Sequence, residues 1–165
     1  TFLNDVAVGP DGTVYVTDSG LRAGAQGFEP TGTDAVWRFG PDGRPRPLRR
    51  GAPLERPNGI VATEDGVVVV MFGSNKVLRL DGQGNVAATD SVPADQLDGV
   101  VRLADGSLLV SSWEGRAVYH LVPGQGAMPL VENVEAPADI GQDAGRRRVL
   151  VPLFLANRIE VRPLH

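Results

Sequence analysis

Four copies of one pattern run through the chain: FLNDVAVGPDGTVYVTDS, RPNGIVATEDGVVVVMFGS, QLDGVVRLADGSLLVSSW and APADIGQDAGRRRVLVPLF, each followed by a second apolar run. Self-similarity at such a period means that one supersecondary unit is stacked on its neighbours, because a single unit cannot bury its own apolar face. Aligned on Val6, Ile60, Val100 and Ile140, the copies are spaced by 54, 40 and 40 residues.

Five residues after each of the first three aligned aliphatics comes an acid-glycine pair: Asp11-Gly12, Asp65-Gly66 and Asp105-Gly106. The fourth copy has Asp143-Ala144-Gly145-Arg146 instead. Acid-glycine between apolar runs is a hairpin signal. Beyond the turn, the runs 13–17, 67–71, 107–111 and 148–152 are too short and too β-branched for helices. A third run closes each unit at 36–39, 77–80, 118–121 and 159–162, apolar at every second position, which is the signature of a half-buried strand. Weaker fourth strands are expected at 46–50, 85–91 and 127–134, with none in the last copy.

Four strands per unit make the blade of a β-propeller. The sequence therefore predicts an all-β propeller of about four blades of four antiparallel strands, over 1–51, 52–92, 93–133 and 134–165. Thr1-Phe2-Leu3 runs straight into an innermost strand and cannot also complete the last blade. An open stack exposes strand edges and apolar blade faces. The expectation is a ring closed either by further N-terminal blades or by a second copy of the chain.

A formal net charge of −4 and a pI near 5.1 give no electrostatic case for nucleic acid or an anionic membrane as partner. Arg44, Arg46, Arg49 and Arg50 read as a solvated outer strand, and Arg146 to Arg148 as a solvated turn. Without cysteine, the chain has no disulfide, thiol nucleophile or thiolate metal site. Its longest apolar stretches, 67–72 and 149–156, are far shorter than a membrane-spanning helix.

In a propeller the first strand of every blade lines the central channel, so an aligned column of first-strand residues becomes a ring around the axis. That column holds Asn4, Asn58, Asp98 and Ala138. Amide and carboxylate oxygens converging on one point suit a hard cation such as calcium, or magnesium in stricter octahedral geometry. The competing reading is local: Asn and Asp before Gly are turn formers. Against it, the fourth copy keeps a good strand with Ala138 in the same place.

Strand direction puts the end of the second strand at the same channel mouth, which brings Asp18, Phe72 and Ser112 towards the ring. The first copy carries extra residues here, 19–34, read either as a lid or specificity element or as a Gly-rich excursion without order. Trp113, beside Glu114, is the better aromatic candidate for binding, while Trp37 reads as blade packing. His120 is set among apolar neighbours and His165 is terminal; with no nucleophile motif they do not support a triad.

The segments LNDVAVGPDGTVYVTDSG, PNGIVA, LDGVVRLADGSLLVSSWEG and PADIGQDAGRRRVLVPLFLANRIEV resemble the gluconolactonase and senescence-marker-protein (regucalcin-like) family of six-bladed propellers, over nearly the whole chain. The chain is also similar to NHL-type repeats. The first resemblance implies a calcium-dependent lactone hydrolase acting on a small molecule such as a sugar lactone. It assigns Asn58 and Asp98 as metal ligands, Asp98 also as general base, and Asn4 as a contact to substrate or metal-bound water. Asp18 and Trp113 are the further substrate-binding candidates. The family's first-blade Glu ligand has no counterpart in this sequence, so weak metal binding is expected. The NHL-like resemblance implies a different class, a non-catalytic propeller that binds a ligand or a protein on the channel-mouth face.

Overall fold

A computed structural model describes residues 1–164 of the chain; His165 lies outside them. The described residues form four antiparallel sheets stacked as propeller blades, with no α-helix. The first blade is built from β1 (Leu3–Val8), β2 (Val14–Asp18), β5 (Ala35–Phe39) and β6 (Pro45–Arg50). The insert predicted in its middle is ordered as a hairpin, β3 (Leu21–Gly24) paired with β4 (Gly27–Pro30). The second blade contains β7 (Pro57–Ala62), β8 (Gly66–Met71), β9 (Lys76–Asp81) and β10 (Val86–Ser91). The third contains β11 (Leu97–Arg102), β12 (Leu108–Ser112), β13 (Ala117–Val122) and β14 (Gly126–Val131). The fourth sheet has three strands, β15 (Gly141–Asp143), β16 (Arg148–Leu153) and β17 (Arg158–Pro163).

Period-two side chains explain the stack. In β8, Val67, Val69 and Met71 pack with Val36 and Leu48 of the first blade, while Val68 and Val70 pack with Leu108, Val110 and Leu121 of the third. In β12, Leu109 turns the other way and meets Val149 and Val151 of the fourth. The core is thus three apolar layers between four sheets, and a strand with a sheet on both sides is apolar at every position. The outward faces of the terminal blades have no such cover. Val6 and Val8 are exposed on the first, Ile159 and Val161 on the last.

The inner strands of the first three blades carry a register shift at the same place, between Leu3 and Val6, Pro57 and Ile60, and Leu97 and Val100. The bulges contain Asn4-Asp5, Asn58-Gly59 and Asp98-Gly99, so these pairs lie within strands and the turn reading fails. The glycines serve close approach: a Cβ on Gly59 would stand 2.4 Å from the Asp98 carbonyl oxygen, and one on Gly99 2.4 Å from Ile140 N. Hydroxyls of the second strands satisfy the backbone that the bulges free. Thr17 Oγ1 accepts from Asp5 N (3.0 Å) and donates to the Asn58 carbonyl (2.7 Å). Ser111 Oγ accepts from Gly99 N (2.8 Å) and donates to the Ala138 carbonyl (2.9 Å). Each hydroxyl therefore ties one blade's bulge to the next blade's inner strand.

Candidate functional site

The bulges re-aim the column residues toward the axis, as bulges beside functional sites do. Asn4, Asn58, Asp98 and Ala138 line one cavity of about 480 Å³ together with Asp139, Arg56 and Ser19. The rest of the wall is apolar: Phe2, Leu21, Phe28, Phe72, Trp113 and Phe154. Four of the five candidate residues, Asn4, Asn58, Asp98 and Trp113, are therefore brought together.

Asp18 is not among them. Its buried carboxylate accepts from Phe2 N (2.9 Å) and Gly20 N (3.0 Å), which holds the entry to β1 and the start of the hairpin insert. The reason is register. The second blade's hairpin is one residue shorter: Thr63 N bonds the Gly66 carbonyl, where Gly9 bonds Thr13 and Leu103 bonds Ser107. In space Asp18 corresponds to Met71, Ser112 and Leu153, which face Leu3, Pro57, Leu97 and Pro137. The cavity-lining column is the next residue along, Ser19, Phe72, Trp113 and Phe154. Their N–H groups donate to the carbonyls of Phe2, Arg56, Gln96 and Ala136. Arg56, Gln96 and Ala136 all have φ between 43° and 55°, so a left-handed residue feeds each of these inner strands.

The aromatic wall is continuous. Trp113 meets Phe72 edge-on, with centroids 5.5 Å apart at 82°, and Phe154 tilted, at 5.3 Å and 36°. Phe2 and Phe28, also in the lining, form a second edge-to-face pair at 5.0 Å, so the hairpin insert contributes a ring to the site. Offset and edge-to-face contacts of this kind add packing beyond area alone.

The polar part is acidic and partly desolvated. Burial pushes the Asp98 carboxyl up to about 7, and the charges of Asp139 and Asp5 add to the rise. The Trp113 indole N–H, buried and without a hydrogen-bond partner of good geometry, faces this carboxyl and only partly offsets the shift. Asp139 keeps a solvent-exposed face, yet desolvation by the channel wall, with the Asp5 charge, raises it to about 6. Asp5 itself is raised by burial, while its carboxylate accepts from Ile60 N (2.8 Å) and so links the first two inner strands. Asn4 Nδ2 donates to Ser19 Oγ (3.0 Å), and Ser19 Oγ donates to the Pro57 carbonyl (2.7 Å). This chain fixes the Asn4 amide. Asn58 is buried and gives its side-chain amide to the cavity.

The donor chemistry suits a hard cation, but the count does not. Asn4, Asn58 and Asp98 offer at most three side-chain residues where calcium takes six to eight oxygens. Among the described residues no group of three His, Cys, Asp or Glu side chains is placed to hold a metal ion. These residues alone do not make a closed calcium site.

Solved structures share this architecture. A gluconolactonase from Xanthomonas campestris superposes with a TM-score of 0.76 at 22% identity, over 99% of this chain and 57% of that one. The chain has the gluconolactonase-type propeller fold. Regucalcin from Agrobacterium tumefaciens, described as a calcium-binding protein, matches at 0.64 and 19%, over 98% of this chain and 64% of that one. A virginiamycin B lyase from Staphylococcus aureus, solved with quinupristin, matches at 0.70 and 16%, over 99% and 66%. The chain thus spans little more than half to two thirds of the length of these larger propellers. No protein-family model and no curated protein matches it. One fold here carries a lactonase and a lyase, so chemistry has to be argued from the site.

Sequence reasoning missed Phe154, Phe2, Phe28, Arg56 and Asp139. Two of them had a visible signal. Phe154 follows Leu153 as Trp113 follows Ser112, and Asp139 stands in the same column as Asp5.

Proposed function

We propose that the protein is a lactone hydrolase in which Asp98 acts as general base. The observation that carries this reading is a carboxyl raised to about 7 on an inner strand, lining together with Asn58 a cavity of small-molecule size. A base with a pKa near the working pH combines a useful ionised fraction with real basicity. The gluconolactonase likeness, a likeness of fold, is in keeping with it.

In this mechanism the Asp98 carboxylate takes a proton from a water as the water oxygen bonds to the lactone carbonyl carbon. The Asn58 amide N–H donates to the carbonyl oxygen as negative charge develops there. The ring C–O bond then breaks, and the leaving alkoxide recovers the proton from Asp98. One lactone and one water give one hydroxy acid. Asn4, held by Ser19, orients the substrate, and the aromatic wall packs against the rest of the substrate and displaces competing water. Calcium, implied by the family resemblance, would be held by Asn58 and Asp98 and would polarise the carbonyl. Because the described oxygens are too few for it, no step depends on the ion.

The test is turnover of a lactone panel by the protein and by Asp98→Asn. A fall of roughly 10²- to 10⁴-fold is expected on loss of a general base. Undiminished hydrolysis by the variant overturns the assignment.

A further inference from the structure

We infer that the substrate of this site is a lactone bearing an apolar, planar aryl substituent rather than a bare polyhydroxylated sugar lactone. This inference rests on the lactonase reading and names the substrate class for it. It stands on the composition and geometry of the walls.

Two groups of aromatic rings line the cavity, Phe72–Trp113–Phe154 from the second to fourth blades and Phe2–Phe28 from the first. Phe154 and Phe28 are 65% and 62% exposed, large rings held at the rim of a cavity instead of in a core layer. Exposed apolar surface gathered around a concavity marks a site that buries an apolar ligand. The rings are also placed by backbone. Phe72, Trp113 and Phe154 each occupy the position whose N–H bonds back to the residue before an inner strand, so they project from three blades at one level.

The polar groups are few, and part of their hydrogen-bonding capacity is already engaged. One Asn4 N–H donates to Ser19 Oγ, and Ser19 Oγ donates to the Pro57 carbonyl. The remaining groups are Asn58, Asp98, Asp139 and Arg56. In the proposed reaction Asn58 and Asp98 meet the ester itself. A ring carrying four or five hydroxyls would set most of them against aromatic faces without partners, and unpaired buried hydroxyls oppose binding. An ester ring has one polar edge, which the few unengaged polar groups can meet. Its substituent then lies against the rings that line the cavity, where stacking and apolar contact hold it.

The experiment compares a phenyl-substituted γ-lactone with gluconolactone, by hydrolysis and by quenching of Trp113 fluorescence in an otherwise wild-type protein carrying Trp37→Phe. The expected result is a kcat/KM at least tenfold higher for the phenyl lactone and saturable quenching by it at concentrations where gluconolactone gives none. Phe154→Ala, a change at an exposed ring, is expected to reduce that preference at least fivefold through KM. Hydrolysis that favours gluconolactone, or a preference indifferent to Phe154→Ala, overturns the inference and leaves the lactonase reading standing. If neither lactone is hydrolysed, the lactonase reading fails, and the quenching then decides the ligand class alone: selective quenching by the phenyl lactone supports it, and equal or absent quenching refutes it.

Discussion

Replacing Asp98 by Asn is expected to stabilise the protein while disabling it, by an amount that depends on pH in a defined way. Asp98 titrates near 7 in the folded protein, against an ordinary value of 3.8. Between those values the unfolded chain has released a proton that the folded protein still binds. The contribution of this group to stability is therefore complete below about pH 4 and is lost as the pH rises through 7. The loss accumulates at about 1.4 kcal/mol per pH unit and reaches up to about 4 kcal/mol above pH 7. Asn is close to isosteric and cannot ionise, so Asp98→Asn should be nearly neutral at pH 4 and more stable by several kcal/mol at pH 8. Urea denaturation of both proteins, in chelator and at half-unit steps from pH 4 to pH 8, measures the difference directly. Asp139→Asn, which removes a neighbouring charge, should move the midpoint of the wild-type curve downward. A difference between wild type and Asp98→Asn that stays flat across this range refutes the desolvated-carboxyl argument. Such a gain in stability with loss of function is the expected signature of a strained functional group.

Other expectations follow from the inner-strand geometry. Ser111→Ala leaves Gly99 N and the Ala138 carbonyl without their partner; a loss of about 1–3 kcal/mol by chemical denaturation is expected, and no loss contradicts the bridging role. Gly99→Ala places a methyl against the backbone of Asp139 and Ile140, where no side chain can move aside. It should destabilise by about 1–3 kcal/mol or more, and a neutral effect means the inner strands approach less closely than described. Calorimetric titration with calcium should find weak binding to this chain, since the described donors are fewer than calcium requires. A tight site of one ion per chain would show that the donor count is wrong.

The architecture was legible in the sequence because sheet stacking writes itself in period two. The short β-branched runs, 67–71 among them, gave the second strands, and the acid-glycine turns marked the hairpins. The column Asn4, Asn58, Asp98 was legible for a related reason: identical positions in stacked repeats converge on one axis. Register was harder. The second hairpin is one residue shorter, which moved Phe72 into line with Trp113 and left Asp18 and Ser112 one place away from the cavity. A one-residue slip turns every side chain to the opposite face, so a correct strand with a misplaced register yields a wrong site residue. The hairpin insert was visible as extra chain, but nothing local showed that it would fold Phe28 onto Phe2. Gly59 and Gly99 looked like turn signals, whereas packing between adjacent inner strands is what requires them.

If Asp98 is the base that activates water for lactone opening, kcat/KM for lactone hydrolysis must follow its ionisation. Measured by proton release in wild type and Asp98→Asn, the rate is expected to rise with pH through a midpoint near 7 in the wild type and to be residual and pH-independent in the variant. A wild-type profile without that midpoint, or a variant that retains it, rules Asp98 out as the base.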